Sequence, residues 1–185
     1  VKKWKEQNSP EYTSTNWQDL AIRKTAPMTQ HNVNVNGGAE KVKYFLSGSY
    51  LDQNSIWQSD ATTFKRYNFR SNIIADITDR LTAEVNVGGI VTDLHSPVSA
   101  TSNLIINGIR RSLPTSKAYA NNNPNYYGIN SIGANVLAEM DADYSGNIDD
   151  LEKELTTAGS LNYKIPGVEG LSAKVFYSYK FENRD

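Results

Sequence analysis

Residues 81–92 read LTAEVNVGGIVT, and this stretch decides the fold class. Most of its odd-numbered positions carry Leu, Ala or Val, whereas Thr82, Glu84 and Asn86 occupy even-numbered ones. Successive side chains of a β-strand point to opposite faces of the sheet, so this alternation predicts a strand with one apolar and one polar face.

Five further segments alternate in the same way, and short turn-like sequences separate some of them. The segments are residues 31–36, 42–51, 66–77, 155–164 and 171–181, with turns expected at 37–38, 78–80 and 166–170. This pattern predicts an all-β fold, a meander of six antiparallel strands. The short turns alternate with long connections at 53–63 and 95–153, an asymmetry typical of outer-membrane β-barrels.

Composition narrows the class of protein. The chain has 185 residues, a formal net charge of -1 and no cysteine, which excludes disulfides and cysteine-based metal sites. Its basic residues form no stripe that could follow a phosphate backbone, so nucleic acid is not an expected partner. No apolar run approaches the ~18 residues of a transmembrane helix, whereas a barrel strand needs only about 10 residues of alternating character.

Aromatic residues near the strand ends fit a barrel. Tyr44 and Tyr163 lie toward the tight end of the predicted sheet, and the looped end carries a second group, Tyr50, Tyr67, Phe69, Tyr177 and Tyr179. Two such girdles are typical of membrane interfaces. The same alternation also fits a soluble β-sandwich, a carbohydrate-binding or cell-surface module whose apolar face packs on a second sheet. The pattern alone leaves both architectures open.

Several segments together resemble the SusC/RagA family of TonB-dependent outer-membrane transporters. They are TNWQDL at 15–20, RKTAP at 23–27, HNVNVNGG at 31–38, KYFLSGSYLDQ at 43–53 and FKRYNFRSN at 64–72. Their order matters as much as their wording. The resemblance covers about residues 15–92, and the closing hairpin also fits.

This resemblance implies a fold and a setting. It implies a large plugged transmembrane β-barrel of about 22 strands with long extracellular loops, of which this chain would hold six. Both chain ends look cut, so we expect a piece of a longer protein. Residues 1–28 would be the partly helical end of an extracellular loop, 29–94 four strands, 95–153 a long extracellular loop with a helix near 99–113, and 154–185 two further strands.

The resemblance also implies a function and partners. Family members import oligosaccharides, peptides or other nutrients across the outer membrane of Gram-negative bacteria. They work with a SusD-like surface lipoprotein, and TonB acts through a plug region that this chain lacks. Outer-membrane lipid would contact the apolar face, while Phe45, Ile74 and Phe176 on the polar face are candidates to touch the plug.

Catalytic chemistry has little support in the sequence. His31 and His95 lie away from carboxylate clusters, and no nucleophile elbow or phosphate-binding glycine loop occurs. Asp76 and Glu84 are the strand carboxylates that a glycosidase would require, and they more simply line a polar barrel interior. We therefore expect no enzyme and no required cofactor.

Residues 141–152, DADYSGNIDDLE, match the loop of an EF-hand calcium site. The predicted ligands of a structural Ca²⁺ are Asp141, Asp143, Ser145, Asn147, Asp149 and Glu152. Gly146 would allow the sharp turn. An EF-hand needs a helix after the loop, but the alternation from Leu155 onward predicts a strand. Calcium binding and a plain loop both remain open.

Aromatic residues in the long connections are candidate ligand contacts. Trp57, Tyr119, Tyr126 and Tyr127 could stack on sugar rings or touch the lipoprotein partner. The alternative is that they anchor their own loops. The six-strand piece is also expected to leave two unpaired edges, at residues 31–36 and 171–181.

Overall fold

The computed structural model describes residues 13–98, 102–129 and 133–185. Six strands form one sheet in sequence order, so each strand pairs with the next one along the chain. The strands are β1 (Met28–Ala39), β2 (Val42–Asn54), β3 (Thr63–Asp76), β4 (Leu81–Pro97), β5 (Asn147–Lys164) and β6 (Ser172–Arg184). The predicted all-β meander is confirmed.

The register of β5 and β6 keeps like residues together. Leu161 faces Val175 across the antiparallel pair, and Asn162 faces Lys174 on the other side of the sheet. Such cross-strand pairs stabilise a sheet, and a slip of one residue would exchange its two faces. The hydrophobic pattern therefore fixes both the register and the identity of the apolar face.

The first turn differs from the sequence prediction. Residues 37–38 do not form it: β1 continues to Ala39, and the turn falls at Glu40 and Lys41. A side chain on Gly37 would meet the ring of Tyr44, since its Cβ would lie 2.6 Å from the tyrosine oxygen. The glycine thus admits an aromatic ring against the neighbouring strand instead of making the turn.

Strands β4 and β5 extend beyond their predicted limits. β4 continues through His95 to Pro97, and β5 begins at Asn147 rather than near residue 154. The predicted helix near 99–113 is observed at Ser102–Arg111, and residues 99–101 lie outside the described part of the chain. Residues 1–12, in the predicted first loop, also lie outside it.

The residues group into two compact units. The strand unit contains Met28–Asp52, Lys65–Asp93 and Asp150–Asp185, and the loop unit contains the described residues up to Pro27 together with Gln53–Phe64 and Leu94–Asp149. Among the described residues, every buried hydrophobic side chain lies in the loop unit. The strand unit therefore has no hydrophobic core of its own.

Within its described residues, the loop unit has four short α-helices around a core. They are α1 (Trp17–Ala21), α2 (Ser102–Arg111), α3 (Val136–Glu139) and α4 (Ala142–Ser145). The core consists of Trp17, Ala21, Trp57, Ile105, Ala118, Val136, Leu137 and Met140. No helix in the described part of the chain is long and apolar enough to cross a membrane.

Candidate functional site

The apolar face of the strand unit is open. Tyr67, Phe69 and Val85 are each about half exposed, at 48%, 51% and 48%, and Val175 is 70% exposed. A sandwich would cover these side chains with a second layer, but no second sheet occurs among the described residues. A large exposed apolar surface marks a contact with another molecule or with lipid.

The opposite face of the strand unit is polar and joined by hydrogen bonds and ion pairs. Glu84 accepts hydrogen bonds from Asn86 (3.1 Å) and Ser160 (3.5 Å), and its carboxylate lies 4.0 Å from the Lys174 ammonium. The Lys180 ammonium lies 3.2 Å from the carboxylate of Glu154. These contacts connect β4, β5 and β6 across one face, so the two faces differ as sharply as the alternation predicts.

The edges of the sheet are unpaired within the described residues. All positions of β1 and β6 are exposed, and each of these two strands has a single neighbour in the sheet. Exposed strand edges carry free N–H and C=O groups that can pair with further strands. The sheet is therefore open on both sides.

Trp57 lies inside the loop unit. It is 5% exposed, and its backbone forms an isolated β-bridge with the backbone of Ile22. Trp17, at 3% exposure, donates from its indole nitrogen to the carbonyl of Leu113 at 2.9 Å. Of the four predicted ligand aromatics, Trp57 is thus placed as a core residue.

The other three aromatics, Tyr119, Tyr126 and Tyr127, lie within residues 118–128, which form a hairpin. The rings of Tyr119 and Tyr127 stack with centroids 6.1 Å apart, and Tyr144 meets Tyr127 edge-on at 4.8 Å. Tyr127 donates its hydroxyl hydrogen to Asp141 at 2.6 Å. Burial has the largest effect on the pKa of Tyr127 and this hydrogen bond the next largest, and both raise it well above its ordinary range. Tyr126 points outward and is 60% exposed.

Two of the predicted calcium ligands, Asp141 and Asp149, have carboxylates that are engaged with other protein groups. Asp141 caps α4 by accepting from the Asp143 N–H at 2.9 Å, and its second oxygen accepts from Tyr127. Asp149 pairs with His95 and accepts from Asn147 at 2.9 Å, while Glu152 lies on β5 opposite Arg184. Among the described residues, no three His, Cys, Asp or Glu side chains come close enough to hold a metal ion.

Calcium binding therefore stays a prediction from the sequence spacing. Two of its proposed ligands, Asp141 and Asp149, already bond to Tyr127 and His95. Calorimetry with calcium on the wild type and on Glu152→Gln tests it, because Glu152 is the expected bidentate ligand. Equal heats from the two proteins would remove the metal site.

Comparison with known proteins gives consistent relatives. No protein-family model matches the chain. TonB-dependent receptor P3 of Formosa agariphila is 26% identical over 178 residues, which cover 92% of this chain and 17% of the receptor. TonB-dependent receptor P26 of the same organism is 28% identical over 133 residues, or 70% of this chain and 12% of that receptor. The chain thus spans less than a fifth of the length of these relatives.

Solved structures share the fold. The RagAB peptide importer in its closed-closed state matches with a TM-score of 0.60 and 18% identity, covering 92% of this chain and 19% of that chain. A structure of the RagAB peptide transporter gives the same TM-score and identity over 93% of this chain. An open meander with one apolar and one polar face, matched over nearly its whole length, defines the class as a segment of a large β-barrel wall.

Within that class, the resemblance to the SusC/RagA family is confirmed. The curated relatives are TonB-dependent receptors, and the solved neighbours are RagAB structures. The chain therefore resembles TonB-dependent receptors in sequence and a segment of the RagAB structures in fold. These relatives are receptors and transporters by name, which agrees with the expectation that the chain is not an enzyme.

Proposed function

We propose that the parent protein is a TonB-dependent outer-membrane importer of the SusC type, and that this chain forms part of its barrel wall. One observation carries the proposal: the apolar face of the strand unit is open while the polar face is joined by hydrogen bonds and ion pairs. A barrel wall needs this division, because one side meets lipid and the other meets a watery interior.

The proposed partners follow from the same assignment. Lipid of the outer membrane covers the apolar face, and TonB acts through a plug region outside this chain. A SusD-like surface lipoprotein associates with the loops. The cargo is an oligosaccharide or a peptide, and the RagAB neighbours are named a peptide importer. Of the proposed ligand aromatics, exposure favours Tyr126 over Trp57, Tyr119 and Tyr127.

Deletion of the full-length gene, complemented with wild type or with a variant lacking the TonB-contacting segment, tests the proposal. We expect the protein in the outer-membrane fraction, and uptake of labelled oligosaccharides or peptides only from the wild-type copy. A protein recovered outside the outer membrane would refute the assignment. Equal uptake by the two complemented strains would refute TonB dependence.

A further inference from the structure

A hairpin in the loop unit carries an uncharged, amide-rich tip. Residues 118–128 form it, and Tyr119 and Tyr127 pair as an antiparallel bridge at its base. No Asp, Glu, Lys, Arg or His occurs between Lys117 and Glu139. The tip, residues 121–126, reads NNNPNY, so its side chains offer amides and one aromatic ring.

Hydrogen bonds hold the two arms of the hairpin together at its base. The N–H of Ala120 donates to the Tyr126 carbonyl at 2.8 Å, and the N–H of Gly128 donates to the Ala118 carbonyl at 2.9 Å. The buried side chain of Asn135 donates to the carbonyls of both Ala118 (2.8 Å) and Gly128 (2.7 Å). A buried amide with both hydrogens engaged fixes the two arms of the hairpin relative to each other.

The tip is also ordered by its own residues. Asn121 and Asn122 have φ of 52° and 56°, a left-handed conformation that asparagine tolerates better than most residues. Asn123 accepts a hydrogen bond from the N–H of Asn125 at 3.0 Å. Tight turns of this kind cost little further entropy when a ligand binds, which favours affinity.

The exposed side chains of the tip include one tyrosine and three asparagines. Tyr126 is 60% exposed, and Asn121, Asn122 and Asn125 are exposed too. Within the described part of the chain, no hydrogen bond engages the side-chain amides of these three asparagines. Each amide supplies two donors and an acceptor, and the tyrosine supplies a flat apolar surface.

We propose that this hairpin tip is a contact site for a neutral oligosaccharide. A sugar ring presents C–H groups that stack on an aromatic face and hydroxyls that pair with amides. An acidic glycan or a charged peptide would also need charged partners, and the tip has none. The inference rests on the proposed import function and narrows its cargo to an uncharged sugar.

Calorimetry on the full-length protein in detergent tests the site. The probes are maltoheptaose, mannohexaose and xylohexaose, with oligogalacturonate and a lysine-containing peptide as charged counterparts. We expect at least one neutral sugar to bind, and Tyr126→Ala to weaken it about 2- to 12-fold, the range for loss of one aromatic contact. Tyr126→Phe keeps the ring and should retain most of the affinity.

Leu104→Ala is the control, because Leu104 is 54% exposed in the same unit but lies on α2, outside the hairpin. Equal affinity of wild type and Tyr126→Ala would overturn the site, as would binding of the charged probes alone or of none. Loss of lipoprotein capture by Tyr126→Ala with unchanged sugar affinity would make the tip a protein contact and also overturn it. Failure of the import function itself would appear separately, in the fractionation and uptake experiments.

Discussion

Replacing Val85 with arginine in the full-length protein tests whether the apolar face meets lipid. Val85 lies near the middle of the alternating part of β4 and is 48% exposed. About 10 strand residues cross a bilayer, so the proposed barrel wall would place this position close to the midplane. Arginine there costs about 2–4 kcal/mol on a lipid-facing barrel position. That cost corresponds to roughly a 30- to 700-fold shift in a folding equilibrium.

In water the same change would cost little. Exposed substitutions usually stay within about 0.5 kcal/mol, and strand propensity spans about 1 kcal/mol. Propensity therefore cannot account for the expected loss. Asn86→Arg is the control, because Asn86 is the next residue on the polar face and bonds to Glu84.

The assay is the fraction of heat-resistant, folded protein in isolated outer membranes. We expect Val85→Arg to lower this fraction strongly and Asn86→Arg to leave it nearly unchanged. Equal fractions for the two variants would refute the lipid assignment of this face.

Three further predictions concern packing and burial. Gly89→Ala should destabilise the folded protein by about 1–3 kcal/mol, seen as a smaller heat-resistant fraction, because the new Cβ would overlap the ring of Phe69. Trp57→Ala should lower the unfolding free energy of the loop unit by about 3–5 kcal/mol, measured by protease resistance, because the ring belongs to the core. Burial raises the pKa of Glu139, because the folded protein favours the protonated carboxyl. The stabilisation that results is complete below the ordinary pKa of glutamate and is lost as the pH rises through the raised pKa. Glu139→Gln should therefore stabilise the loop unit near neutral pH and lose this advantage in acid, as thermal melts at the two pH values would record.

Neighbouring residues supply the controls. Gly88→Ala should be tolerated, since its Cβ would come no closer than 3.8 Å to the carbonyl of Phe69. Ile56→Ala should be nearly neutral, because Ile56 is 50% exposed beside the buried Trp57. Similar losses within either pair would contradict the packing described. A Glu139→Gln advantage that is equal at acid and neutral pH would contradict the burial effect.

The strand unit was largely predictable because its rule is local. Alternation reports which side of a strand a residue takes, and it identified six strands and the apolar face correctly. It failed at residues 37–38, where glycine serves a neighbouring ring instead of a turn. It also missed the start of β5, because Asn147, Asp149 and Asp150 give no apolar face to recognise.

The loop unit was much less predictable because its packing is not local. The indole of Trp17 bonds to Leu113 at a separation of 96 residues, and no periodic pattern announces such a contact. The burial of Trp57 was also missed. A tryptophan in a polar connection looks exposed in sequence, so it was predicted as a candidate ligand contact. The role of Asn135 in bridging the hairpin was likewise missed. A single asparagine before a short helix indicates a cap, which it is, but not a second role.

The wide spacing of the loop unit's core residues also bears on assembly. Trp17, Trp57 and Ile105 come from three stretches with strands between them, and bringing distant segments together costs entropy that intervening structure must first offset. Closure of this unit should therefore be a late event in maturation. An antibody that recognises only its closed surface would label molecules whose intervening hairpins are finished, and would pass over stalled precursors.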